Sequence, residues 1–248
     1  MPLPFELQID RGQAMGLIVL QTDELMEFEL GKLFLGLGLR VYQNRIPCMP
    51  EVRPETLSMM GETMTTSARM LPDEAGIEVI GYGCTSGATI LGEVRVTELI
   101  QQAHPNVVVS NPLSALKAAC RSLGIKRLGL VSPYIAEVTD ALKDAIEDAG
   151  IEISSYGSFE QAEDKTVARI SPQSTLRAMI EIGKGDCDAV FASCTNLRAM
   201  EIIPEAEDIL GKPVLCSNQV LGWHMLRLAG IGSDHPAGGR LFKAGLNG

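Results

Sequence analysis

Eight short apolar runs alternate with segments of helical periodicity along this chain of 248 residues. That alternation dictates a succession of βα units, and with them a largely parallel sheet covered by helices. The runs predict strands at 15–20, 39–44, 77–82, 107–110, 127–132, 151–155, 188–193 and 213–216. Between them the apolar positions fall three and four apart, the spacing of one helix face, as in Val138, Leu142, Ala145, Ile146 and Ala149 or in Leu176, Met179 and Ile180.

The first four units resemble the last four. Gly16-Leu17-Ile18-Val19 is answered by Gly129-Leu130-Val131, and Val109-Ser110-Asn111 by Cys216-Ser217-Asn218. The run ending Tyr82-Gly83-Cys84-Thr85-Ser86 is answered by the run ending Ala192-Ser193-Cys194-Thr195-Asn196. Three patterns in one order, about 110 residues apart, predict two pseudo-symmetric α/β halves. Each half is expected to hold a four-stranded, mostly parallel sheet flanked by helices, with the active site at the cleft between them. The boundary falls near Gly124: residues 1–124 make the first half and 125–248 the second, with the segment 225–248 expected to pack back on the first.

Composition narrows the function. With 21 Lys and Arg against 31 Asp and Glu the formal charge is −10, which leaves no basic stripe for phosphates, so neither nucleic acid nor an anionic membrane is an expected partner. No apolar run approaches the roughly 18 residues of a membrane span, and acids stand where a signal peptide carries positive charge, so the protein reads as cytoplasmic. The six cysteines contain no C-x-x-C pair and have no His at metal-ligand spacing, so they read as reduced thiols and no metal is expected.

In parallel α/β folds, ligands bind beyond the carboxyl ends of the strands, where helix N-termini present free N–H groups. Cys84 and Cys194 both fall there, each between an apolar strand and a Thr-Ser or Thr-Asn helix start, a setting that lowers a thiol pKa. Two Cys-Thr dipeptides at matching strand ends are hard to explain as packing. Cys48, Cys120, Cys187 and Cys216 keep the ordinary reading of small buried hydrophobes. Thr85, Ser86, Ser110, Asn111, Thr195, Asn196, Ser217 and Asn218 lie at the same strand ends, as helix caps, as donors to a bound carboxylate, or as both. Tyr134 brings a phenol to that edge.

Other features read as structural. His104 lies in a loop, His235 in a Gly/Pro tail, and His224 beside Trp223 on an amphipathic helix that could bring it near the second half's strand ends. The glycines of 81–87 depart from the dinucleotide fingerprint: the third is displaced by one, and the next strand ends in Ser-Asn without an acid. They read instead as bringing backbone close to a small ligand. No phosphate-loop or nucleophile-elbow motif is present. Met59, Met60, Val94 and Val96 are weak hints of an interface.

Taken together these residues resemble the aspartate/glutamate racemase superfamily, and within it the maleate isomerase and arylmalonate decarboxylase group. The similarity spans nearly the whole chain, through 15–27, 82–87, 131–134, 191–196 and 212–230. Segments 42–47, 81–88 and 218–230 are most similar to the ectoine-utilisation branch. The resemblance implies a homodimer or homotetramer with a cofactor-free site, in which Cys84 and Cys194 act as paired acid/base or nucleophile on a small carboxylate. Racemases of this kind remove an α proton with one thiolate and return it from the other thiol. Maleate isomerases add a cysteine to the double bond, rotate about the new single bond and expel it. Decarboxylases of the group keep one cysteine, so two favour an isomerase most like maleate cis-trans isomerase. An amino-acid racemase, of the Asp/Glu type or for an acetylated diamino acid of ectoine catabolism, is the alternative. Asp23 stands where maleate isomerases offer an Asn to a substrate carboxylate, and a second such Asn corresponds to Asp164-Lys165; Asp23 and Lys165 are expected to grip a zwitterion. A non-enzymatic carboxylate-binding protein on the same clamp is the competing class.

Overall fold

The computed structural model describes residues 1–7, 12–232 and 234–246. Among them, β1 (Ala14–Leu20), β2 (Arg40–Ile46), β3 (Ile77–Gly83) and β4 (Val108–Ser110) form one sheet in the order β2-β1-β3-β4. The second sheet repeats that order as β6-β5-β7-β8, from β5 (Arg127–Tyr134), β6 (Glu152–Gln161), β7 (Ala189–Ala192) and β8 (Val214–Cys216). Every pairing within both sheets is parallel. The eight strands coincide with the eight apolar runs, because β1, most of β3, most of β5 and β7 are buried and demand near-continuous apolar sequence. The edge strands β2 and β6 are only partly covered and carry mixed sequence.

The helices of the first half are α1 (Met26–Phe34), α2 (Pro54–Arg69), α3 (Thr85–Leu91), α4 (Glu93–Gln101) and α5 (Pro112–Leu123). Those that follow are α6 (Ala136–Glu147), α7 (Asp164–Val167), α8 (Pro172–Gly183), α9 (Ile203–Leu210) and α10 (Ser217–Leu228). No helix among the described residues is long and apolar enough to cross a membrane. Val96 and Met60 belong to the core, whereas Val94 and Met59 are exposed, so only half of that set remains on the surface.

Helix α10 starts at the end of β8 but packs on α5, α1, β3 and β4 of the first sheet. Its Gly222 makes the approach to α1 possible, since a Cβ there would lie 2.8 Å from a Leu30 methyl and 2.9 Å from one of Leu33. Trp223 is fully buried and donates its indole N–H to the Ala244 carbonyl at 3.1 Å. This crossing corrects the expectation for His224: it meets the first sheet's strand end, with Nδ1 2.8 Å from Ser110 Oγ. Burial pushes its pKa down to about 4, so it is a neutral packing group at physiological pH.

The loop between β2 and α2 ties the halves together from the other side. Val52 donates its N–H to the Ala162 carbonyl at 2.8 Å, and Asp164 donates its N–H to the Pro50 carbonyl at 3.1 Å. Both bonds span the cleft that holds the candidate site.

Candidate active site

Both cysteines singled out from the sequence stand just beyond a strand end. Cys84 follows β3 directly and caps α3, its Sγ accepting the N–H of Gly87 at 3.1 Å with Ser86 Oγ at 3.6 Å. Cys194 lies two residues past β7 in a different conformation. Its φ is +103°, a region where a side chain is strained, and turns at 195–198 replace the expected helix. Its Sγ accepts the N–H of Asn196 at 3.4 Å and is hydrogen-bonded to the Tyr134 hydroxyl.

The two thiols line one narrow cleft, with Ser86, Tyr134 and Thr195 beside them. Thr22, Cys48, Met60, Val52 and Asp164 complete much of its wall. Hydroxyls and amides lock the halves together behind it. Ser217 Oγ accepts the N–H of Cys194 at 3.0 Å and lies 2.8 Å from Thr85 Oγ1. Asn218 donates from Nδ2 to the Thr195 carbonyl at 2.8 Å and to Glu29 Oε2 at 2.6 Å. Asn196 donates to the Thr22 carbonyl at 3.2 Å and accepts the N–H of Glu24 at 2.9 Å.

Electrostatics overturns one expectation. Helix starts were expected to lower the thiol pKa values, yet burial raises both, Cys84 to about 12 and Cys194 well above its ordinary value. The Gly87 N–H and Ser86 oppose this at Cys84, as Tyr134 and Asn196 do at Cys194, while Asp164 adds to both shifts. Both thiols therefore rest protonated at neutral pH. Burial likewise raises the carboxyls of Asp23, Asp164 and Glu29, the last to about 7. Asp23 Oδ1 accepts the N–H groups of Leu25 and Met26 at 2.8 Å each, and its Oδ2 is buried without a hydrogen-bond partner.

The remaining expected residues sort by distance from the cleft. Thr85, Asn196, Ser217, Asn218 and Asp23 are buried behind its wall. Ser110 is spent on His224, and Asn111 caps α5 by accepting the N–H groups of Leu113 and Ser114 at 3.0 Å each. Lys165 projects outward, 74% exposed and paired with Glu163 at 3.1 Å, and does not line the cleft with the thiols. The one-turn helix α7 turns Asp164 inward instead, where the Thr22 hydroxyl donates to its Oδ2 at 2.5 Å. The glycines of 81–87 likewise make room for protein side chains: a Cβ at Gly83 would lie 2.3 Å from Met26 Sδ, and one at Gly87 2.4 Å from the Tyr82 hydroxyl.

Sequence reasoning missed Thr22, Cys48 and Tyr82. Tyr82 is fully buried and its hydroxyl donates to Met60 Sδ at 3.5 Å beside Cys84. Its place two residues before Cys84, at the end of β3, was a usable signal; Cys48, after Ile46-Pro47 with no repeat partner, carried none.

A paired-thiol cleft between two like sheets defines a class of α/β enzyme, and comparison places the chain within it. The chain belongs to the arylmalonate decarboxylase family, whose pattern matches residues 17–242. Maleate isomerase of Alcaligenes faecalis is 26% identical over 203 residues, which cover 79% of this chain and 80% of that one. The fold is similar to a variant of the maleate isomerase of Pseudomonas putida S16 with maleate, at a TM-score of 0.84 and 24% identity, covering 93% of this chain and 97% of that one. It is equally similar to a variant of Nocardia farcinica maleate cis-trans isomerase with a covalently bound succinylcysteine intermediate, at 0.84 and 24%, covering 93% and 98%.

Proposed function

We propose that this protein is a cofactor-independent isomerase of a small unsaturated carboxylate, with chemistry like that of maleate cis-trans isomerase. One observation carries the reading: Cys84 from the first half and Cys194 from the second line the same cleft. In this reading residues 1–124 and 125–248 are the two halves, each supplying one thiol, and the repeated strand order supports the division.

Cys84 is the nucleophile, because its backbone N–H contact is the shorter of the two, 3.1 Å against 3.4 Å at Cys194, and burial raises its pKa the less. The Cys84 proton passes to solvent water, to be regained once the sulfur is expelled, and the thiolate adds to one olefinic carbon, forming the C–S bond as the π pair moves toward the carboxylate. The Cys194 thiol, held by Tyr134, protonates the neighbouring carbon. Rotation about the carbon–carbon single bond follows. Cys194 then takes a proton back, the C–S bond breaks, and the double bond re-forms in the other geometry. Ser86 and Thr195, lining the cleft beside the thiols, are placed to hold the carboxylate. Thr85, Asn196, Ser217 and Asn218 position them.

Family resemblance supports the finer parts of the proposal: the ectoine-utilisation branch, a homodimer or homotetramer, and a cytoplasmic location. The test is turnover of maleate, aspartate, glutamate and acetylated diamino acids, followed by proton NMR in heavy water. Isomerisation is read from the changed double-bond geometry of the product, and racemisation from inversion and deuterium exchange at the α carbon of a saturated substrate. Cys84→Ser and Cys194→Ser are each expected to abolish turnover with the fold intact; full activity in either would end the two-thiol reading.

A further inference from the structure

The cleft is acidic on one side and has no cation to balance it. Among the described residues, no Lys, Arg or His lines it together with the thiols. Its two carboxyls differ. Glu51 is exposed and paired with Arg53 at 3.1 Å, so its charge is already answered in solvent. Asp164 is 5% exposed and takes hydrogen bonds only from the uncharged Thr22 and Asn196 side chains. A second buried carboxyl lies behind the same wall: Asp23, whose Oδ1 accepts two backbone N–H groups and whose charged form Thr195 and Arg45 favour. Lys165, the adjacent cation in the chain, points into solvent.

A buried carboxylate without a cation is costly, so Asp164 is driven toward its neutral acid unless the ligand supplies a cation that favours the ionised form. A dicarboxylate supplies none and gains no ion pair there, whereas an ammonium group does. We infer that the substrate is a small unsaturated monocarboxylate whose far end carries an ammonium group, with Asp164 the residue that selects it. The inference rests on the two-thiol reading and adds the substrate's charge pattern to it. The chemistry is unchanged, since conjugate addition of the Cys84 thiolate needs only one carboxylate to receive the π pair.

The test compares two compounds of similar shape, maleate and (Z)-4-aminobut-2-enoate, in which an aminomethyl group replaces one carboxylate. The wild type is expected to isomerise the amino compound with kcat/KM at least tenfold above that for maleate. Asp164→Asn keeps an acceptor for Thr22 and is expected to move the ratio at least tenfold toward maleate. Maleate preferred by the wild type, or a ratio unmoved in a folded Asp164→Asn variant, would overturn the selectivity while leaving the isomerase reading in place. Turnover of neither compound would remove both. Should the variant not fold, the wild-type ratio still decides, and so does the relative power of the two compounds to protect Cys84 from alkylation.

Discussion

Cys84 and Cys194 occupy matching places in the two halves and are held in opposite ways. Cys84 has an extended backbone at φ −150° and caps a regular helix. Cys194 sits at φ +103° ahead of a string of turns, a conformation that costs a side-chain-bearing residue roughly 1–3 kcal/mol. The repeated scaffold delivers both sulfurs to one cleft, one held relaxed and the other strained. That asymmetry matches a division of labour: the relaxed thiol forms and breaks the bond to carbon, and the strained one, tied to Tyr134, handles the proton.

The sharpest way to break this comparison is to remove each sulfur. Cys84→Ser and Cys194→Ser are each expected to lower kcat by on the order of a thousandfold or more, since a residue that acts as part of a unit cannot be spared. Only Cys194→Ser should still form a covalent adduct on Cys84, visible by intact mass. An adduct in Cys84→Ser alone would reverse the assigned roles.

The next effect concerns the carboxyl behind the Cys194 side. Glu29, buried and bonded to Asn218, has its pKa raised from 4.5 to about 7. A folded-state value above the unfolded one means that its stabilising contribution is complete below about 4.5 and is lost as pH rises through about 7. Glu29→Gln mimics the protonated form and still accepts from Asn218. It should stabilise the protein by up to about 3 kcal/mol at pH 8 and hardly at all at pH 4.5, read from urea unfolding at both pH values. An equal gain at both would show that Glu29 is not held protonated.

Smaller effects separate the two thiols further. Tyr134→Phe removes a hydrogen bond to Cys194 and should lower kcat roughly tenfold while leaving the alkylation rate of Cys84 unchanged. A parallel loss of Cys84 reactivity would mean that the phenol serves both ends. Cys194→Gly should relieve backbone strain and raise stability by about 1 kcal/mol. Cys84→Gly, which forfeits a cap and a buried sulfur with no strain to relieve, should lower stability. Thermal unfolding of the pair checks the sign of each.

Much of this was legible before any coordinates. The buried strands announced themselves because a parallel sheet covered on both faces tolerates few polar residues, and the repeat exposed the two Cys-Thr pairs. What escaped depended on rotation and path. One turn of helix decides that Asp164 faces the cleft and Lys165 the solvent, and no periodicity can be read from four residues. The route of α10 onto the first sheet took His224 and Ser110 to each other, since a helix face does not say which sheet it will cover. The thiol pKa values went the other way because burial outweighed the N–H groups that the strand ends provide.

The most direct test of a shared site is differential thiol labelling with a small methanethiosulfonate, mapped by mass spectrometry with and without bound substrate. The account predicts that substrate slows labelling of Cys84 and Cys194 together while Cys120 and Cys187 are unaffected. Protection of one of the two alone, or of neither, would contradict it.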